Sequence, residues 1–292
     1  MKFLSFTMGG KPGLAIETKD GFRGLTSAQA GYPGSVESLV KAGGHGLAAA
    51  AATLAKGEPV DPGKVTYAVP FPSSGKVICV GLNYVDHSTE SGFKVPDYPA
   101  LFARFNTSLI AHGAPIIRPH VSVQLDYEGE LVAVIGKGGK NITLAKALDH
   151  VAGYSVFNDA SIRDYQFKAP QWTPGKNFDD TGAFGPYFVT ADALPPGCQG
   201  LKLETRLNGK VVQSANIDDM VFSVAQLVSI ISEAMTLETG DVIVTGTPAG
   251  VGLARKPPLW MKNGDVCEVE IEQVGLLSNP IKDEAGASGA AA

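Results

Sequence analysis

Gln124-Leu125-Asp126-Tyr127-Glu128-Gly129-Glu130-Leu131-Val132-Ala133-Val134-Ile135 alternates as a β-strand does. Residues i, i+2 and i+4 of a strand share one face. Asp126, Glu128 and Glu130 then project together, Val132 and Val134 continue that face as apolar, and Leu125, Tyr127, Leu131, Ala133 and Ile135 point the other way. Three carboxylates in a row repel one another unless a positive group sits among them. A hard divalent cation with oxygen ligands, Mg²⁺, Mn²⁺ or Ca²⁺, is one solution. An edge strand whose acids face water is the other.

Outward from this segment the chain stays rich in strands: Lys76 to Gly81, Pro115 to Arg118, Val151 to Asn158, Tyr187 to Thr190, Lys202 to Leu207, Lys210 to Gln213, Asp241 to Thr245 and Asp265 to Ile271. Asn208-Gly209 predicts a hairpin, because both residue types accept the positive φ of a type I′ turn. One long amphipathic helix is expected through Val224, Leu227, Val228, Ile231, Ala234 and Met235, capped by Ser223, and a shorter one over Leu144 to Asp149. Strands do not alternate with helices as a parallel sheet requires, so a mostly antiparallel or mixed β architecture follows. The N-terminal part reads as strands over Met1 to Met8 and Leu14 to Thr18, then helices over Val36 to Lys41 and Gly46 to Lys56. Turn-rich segments at Gly57 to Gly63 and Pro70 to Gly75 predict a linker and a boundary near Pro72. The expected organisation is a small domain over 1–72, a catalytic domain over 73–284 and a disordered Gly/Ala/Ser tail over 285–292.

The 292 residues include 24 Lys+Arg and 29 Asp+Glu, a net charge of −5, with the basic residues scattered. This argues against nucleic-acid binding, which needs clustered cations. With 44% hydrophobic and 18% charged residues the chain can bury a large core. Its longest small or apolar run, Gly46 to Ala55, falls short of the ~18 residues of a membrane span, and Met1 to Thr7 does not read as an export signal. Cys79, Cys198 and Cys267 lie far apart and outside any C-x-x-C pattern. Buried reduced thiols and a cytoplasmic location are expected.

Three further segments carry chemistry. Asp159, ending the run Val156-Phe157-Asn158, could complete a three-carboxylate site or cap the following turn. His87 and Glu90, three apart in the Gly81 to Gly92 loop, share a face if the segment turns helically, which suits a general base and its orienter on a lid, or a plain surface pair. Thr245-Gly246-Thr247-Pro248-Ala249-Gly250-Val251-Gly252 lacks a P-loop ending, yet its amides and threonine hydroxyl suit a carboxylate.

Seven motifs run in order from Lys76 to Glu284: Val80-Gly81-x-Asn83-Tyr84-x-x-His87, Asp126-Tyr127-Glu128-x-Glu130-Leu131, Asn158-Asp159-x-Ser161-x-Arg163-Asp164-x-Gln166, Gly175-Lys176-x-Phe178-Asp179, Gly185-Pro186, Leu207-Asn208-Gly209 and Gly246-Thr247-Pro248-x-Gly250-Val251-Gly252. Together they resemble the fumarylacetoacetate hydrolase superfamily, in its acylpyruvate hydrolase and 2-hydroxyhepta-2,4-diene-1,7-dioate isomerase-like branch. The resemblance implies an α+β, β-rich fold: a mixed β-roll domain with a smaller N-terminal α/β domain, assembled as a homodimer. It implies that Glu128, Glu130 and Asp159 bind one Mg²⁺ or Mn²⁺, that His87 with Glu90 forms the base, and that Lys176 holds the reacting oxygens. Arg104, Tyr127, Gln166 and Thr247 would contact substrate, with Asp126 and Arg163 supporting them. Arg104 stands where the family often has Lys and Ile217 where it often has Thr, and both departures are expected to touch substrate recognition.

The implied activity is metal-dependent hydrolysis of a C–C bond in an acylpyruvate such as fumarylpyruvate or maleylpyruvate, releasing pyruvate in aromatic-compound catabolism. The alternative is oxaloacetate decarboxylation or hydroxymuconate-type isomerisation through the same enolate chemistry. An inactive metal-binding homologue is a third possibility, against which His87 and Glu90 argue.

Overall fold

A computed structural model describes residues 1–43, 46–86 and 96–286. The expected base His87 and its partner Glu90 lie outside the described residues, as does most of the tail.

Gly129–Ile135 is buried along its whole length, inside a twelve-stranded sheet between Val151–Asp159 and Val242–Val244. That excludes an edge strand with its acids in water. Leu131, Ala133 and Ile135 join one apolar cluster, and Val132 and Val134 join another on the opposite face. A strand covered on both faces has this near-continuous apolar character. The single strand expected from Gln124 onward is in fact two. Leu125–Asp126 pairs with Ser161–Ile162 in a separate ladder, and the chain crosses through Tyr127 and Glu128 into the large sheet. Asp126 explains the crossing: its carboxylate accepts the backbone N–H of Tyr127, Gly252 and Leu253, bonding the crossing to the Gly-rich loop.

On one side of this centre lie Val77–Gly81, parallel to Val242–Val244, and then Ala100–Arg104, a strand the sequence reading missed. On the other side the sheet continues through Gly182–Thr190 into Lys2–Met8, Lys11–Thr18, Gly21–Thr26 and Glu58–Val60. Hydrogen bonding therefore runs unbroken across the boundary expected near Pro72, and the supposed linker contributes Glu58–Val60. Phe3, Leu14, Val36 and Val40 from the N-terminal segment pack in one cluster with Val132, Phe157 and Phe188.

A five-stranded sheet, Lys210–Asn216, Lys202–Leu207, Val266–Ile271, Gly275–Asp283 and Ile116–Arg118, covers the other face. Its Leu203, Val269 and Leu277 pack with Leu131 and Tyr154. Asn208 and Gly209 take the expected positive φ of 52° and 75° in its hairpin. The helix Val224–Ala234 starts with a reciprocal Ser223–Gln226 capping box and buries Val224, Leu227, Val228 and Ile231. Leu144–His150 is 3₁₀ rather than α-helical. Among the described residues no helix is long and apolar enough to cross a membrane. Cys79, Cys198 and Cys267 are free and buried.

The topology brings five strand ends together. Val77–Gly81 and Val242–Val244 are parallel, so the loops after them, beginning at Leu82 and Thr245, leave from one end of the sheet. The antiparallel neighbour Gly129–Ile135 begins at that end, Val151–Asp159 finishes there, and Ala100–Arg104 lies alongside.

Candidate active site

Glu128, Glu130 and Asp159 meet at this end, each offering a carboxylate oxygen within 4.8 Å of the others. Register fixes them: Gly129 sits opposite Asn158 and Glu130 opposite Phe157. Asp159 donates its backbone N–H to Glu128 O at 2.8 Å, and the Asn158 side chain accepts the Glu128 N–H at 3.1 Å. All three acids are buried. Burial first, and then the charges of Asp159 and Glu128, push the Glu130 carboxyl well above the usual carboxylate range.

Cations interleave with these acids. Lys176 Nζ donates to Glu128 Oε2 and Asp159 Oδ2, both at 2.7 Å. Burial opposes its charge, but Asp159 and Glu128 more than offset this and raise its pKa. Arg163 bridges Asp126 Oδ2 at 2.8 Å and Glu128 Oε1 at 2.6 Å. Arg104 donates through Nε to Asp159 Oδ1, through its terminal nitrogens to Ala160 O at 2.5 Å, and to the Ser108 and Thr181 hydroxyls at 3.2 Å. Four buried carboxylates, Asp126 included, thus face three cations. This close-set group of oxygen donors fits a hard divalent cation, which would relieve the remaining repulsion.

The Gly-rich loop closes the cluster. Gly246 N–H donates to Glu130 Oε2 at 2.5 Å. Only glycine suits this position: its φ is +103°, and a Cβ would lie 2.7 Å from Asn83 Cβ and 2.9 Å from Val80 O. Asn83 pins the neighbouring segment by donating to Thr245 O at 2.7 Å and Phe222 O at 3.0 Å.

A cavity of about 180 Å³ opens on the cluster, with Glu128, Glu130, Lys176, Arg163, Gln166 and Thr247 on its polar side. Arg163 orients Gln166 by donating to its Oε1 at 2.9 Å. The second terminal nitrogen of Arg163 is buried without a hydrogen-bond partner among the described residues. Thr247 lines the cavity, but its hydroxyl donates to Gly129 O at 3.0 Å and accepts from Gln213 at 2.8 Å.

Two of the expected substrate contacts, Arg104 and Tyr127, do not line this cavity, nor does Ile217, the other departure from the family pattern. Arg104 is buried behind Asp159 and does not line the cavity. Tyr127 donates to Gly250 O and accepts from Arg255, both at 3.0 Å, which makes it a brace of the Gly-rich loop. Ile217 packs in the core, 1% exposed. Sequence reading also missed Gln213, whose amide joins Gly129 N, Thr247 Oγ1 and Pro248 O. No local pattern marks it, since its strand belongs to the other sheet.

Removing a partner from a buried ion pair typically costs about 3–5 kcal/mol. Arg104→Leu is therefore expected to lower unfolding stability by that order while Arg104→Lys loses less, as urea titration would read; equal losses would refute the pairing role.

A carboxylate cluster able to take a divalent cation, set at the strand ends of a β-rich α+β fold, defines the class of site. The chain belongs to the fumarylacetoacetate hydrolase family: the model of the fumarylacetoacetate (FAA) hydrolase C-terminal region matches residues 76–282. It is 40% identical over 275 residues to a human (Homo sapiens) mitochondrial oxaloacetate tautomerase, covering 92% of this chain and 87% of that protein. Among solved structures, a fumarylacetoacetate hydrolase from Exiguobacterium antarcticum superimposes with a TM-score of 0.81 at 36% identity, over 97% of this chain and 100% of that one. A maleylpyruvate hydrolase from Sphingobium sp. SYK-6 gives 0.79 at 25% identity, over 97% and 100%.

Proposed function

We propose that this protein catalyses proton transfer at the carbon beside the 2-oxo group of a small dicarboxylic 2-oxo acid, the specific reaction being enol–keto conversion of oxaloacetate. The observation that carries this reading is the 40% identity, over 92% of the chain, to a relative named for that reaction. It displaces the acylpyruvate hydrolysis expected first from the sequence in favour of the enolate chemistry held as its alternative.

The site's own groups support it. The 2-oxygen of the substrate would lie against Lys176 Nζ, whose ammonium offsets negative charge as the enol O–H proton leaves. The Arg163 nitrogen that has no partner among the described residues and the oriented amide of Gln166 suit a substrate carboxylate. Glu128, Glu130 and Asp159 would hold Mg²⁺ or Mn²⁺, which supplies further positive charge beside the developing oxyanion. His87, with Glu90 as the partner expected from their spacing in sequence, is the proposed base that would carry the proton to the neighbouring carbon; both lie outside the described residues. The cavity is also small beside the 300–1,000 Å³ typical of larger ligands.

Hydrolysis of an acylpyruvate is the second reading, favoured by the likeness to maleylpyruvate hydrolase. The two are separable with Mg²⁺ present by following enol-oxaloacetate absorbance and, in parallel, pyruvate release from acylpyruvates. Faster loss of the enol than in buffer is expected, with a drop of ~10²–10⁴-fold in His87→Ala, the usual worth of a general base. An unchanged enol decay together with pyruvate release would give the protein to the second reading.

A further inference from the structure

The apolar side of the cavity is built on the same short helix as the reacting ammonium. Trp172 immediately precedes Thr173–Lys176 and has helical backbone angles, φ −74° and ψ −13°. Positions four apart lie on one helix face, so Trp172 stands beside Lys176, and both line the cavity. A line of groups leads from one to the other. Lys176 Nζ lies 5.0 Å from the Phe102 ring centroid, and Phe102 meets the Trp172 ring edge-on at 5.7 Å.

Gly81 is the seat of that indole. A Cβ at Gly81 would lie 2.3 Å from Cζ3 and 2.9 Å from Cη2 of Trp172. Gly81 is absent from the positive-φ residues, so its backbone does not require glycine. The ring does: it rests on the bare backbone at the end of Val77–Gly81, a strand paired within the central sheet. Phe102 on the neighbouring strand supports it from the side, while Val251 and Leu253 line the cavity as well.

We propose that Trp172, seated on Gly81, is the wall that sets substrate length, admitting short 2-oxo acids and refusing those with long tails. This rests on the reading of the cavity as a 2-oxo acid site. A four-carbon diacid would set its 2-oxygen at Lys176 and a carboxylate at Arg163 and Gln166 and still fit the cavity, whereas the further carbons of a longer acid would meet the indole. Such crowding of a packed site is unfavourable.

N-alkyl oxamates test this, because oxamate copies the 2-oxo acid head, cannot react and carries tails of graded length. Binding to the Mg²⁺-loaded protein is measured by calorimetry for oxamate and its N-methyl, N-butyl and N-hexyl derivatives. In the wild type, affinity is expected to fall about tenfold or more between N-methyl and N-hexyl, within the range that pocket-size mismatches produce. Trp172→Ala should abolish that fall, Trp172→Phe should halve it on a logarithmic scale, and oxamate itself should bind all three proteins alike. Thermal melts confirm that the variants fold, as expected for a half-buried side chain.

Affinity that rises with tail length in the wild type would overturn the proposal, as would a fall unchanged in Trp172→Ala. Failure of oxamate to bind at all would overturn it together with the 2-oxo acid reading. If oxaloacetate is not turned over but the length dependence and its loss in Trp172→Ala are observed, the assigned reaction falls and the wall stands.

Discussion

Glu130→Gln is expected to abolish divalent-cation binding and to lower turnover by at least ~10²–10³-fold, the worth of one preorganised electrostatic group. Glu130 stands on a strand buried along its whole length and is itself 2% exposed. An amide keeps the shape and can still accept the Gly246 N–H, but it brings no charge to the cation. The variant separates function from stability because the two move in opposite directions. In the metal-free protein the Glu130 carboxylate is buried beside Asp159 and Glu128, and removing its charge relieves that repulsion. Melting in EDTA should therefore occur at or above the wild-type temperature while Mn²⁺ titration shows no binding. Wild-type Mn²⁺ affinity in this variant would remove Glu130 from the ligand set.

Much of this site was legible because its residues lie close in sequence on regular elements. Alternation placed Glu130 and Val132 on one face and Leu131 and Ala133 on the other, and the structure keeps that division. Motif order carried the family resemblance, since seven short patterns in one sequence order are more specific together than any one of them. What stayed hidden depends on partners remote in sequence. The resemblance places Arg104 among the substrate contacts, whereas in the structure it pairs with Asp159 of this same chain. Gln213 acts across sheets, and Tyr127 turns to Arg255 at a separation no periodicity reports. The unbroken sheet across Pro72 was equally invisible. Turn-rich segments mark where a chain reverses, but not whether the strands on either side later pair, as Lys2–Met8 does with Gly182–Thr190.

Lys176→Met should show whether the ammonium serves the fold or the chemistry. With Nζ 2.7 Å from both Glu128 and Asp159, its removal takes one of three cations from four buried carboxylates, leaving Glu128 to Arg163 and Asp159 to Arg104. The metal-free variant is expected to lose about 3–5 kcal/mol of unfolding stability. A divalent cation compensates for the same deficit, because it too brings positive charge among Glu128, Glu130 and Asp159. A ligand that binds the folded state adds stability in proportion to its affinity, and the cation meets less competing positive charge once Lys176 is gone. Mg²⁺ should therefore raise the urea midpoint of Lys176→Met by more than it raises that of the wild type. Equal increments would show that Lys176 and the cation do not share those carboxylates. Turnover separates the two roles. If Lys176 only balanced charge, the Mg²⁺-restored variant would regain activity along with stability. If its ammonium offsets charge at the 2-oxygen, stability returns and activity does not, and that second pattern is the one expected from an ammonium that lines the cavity.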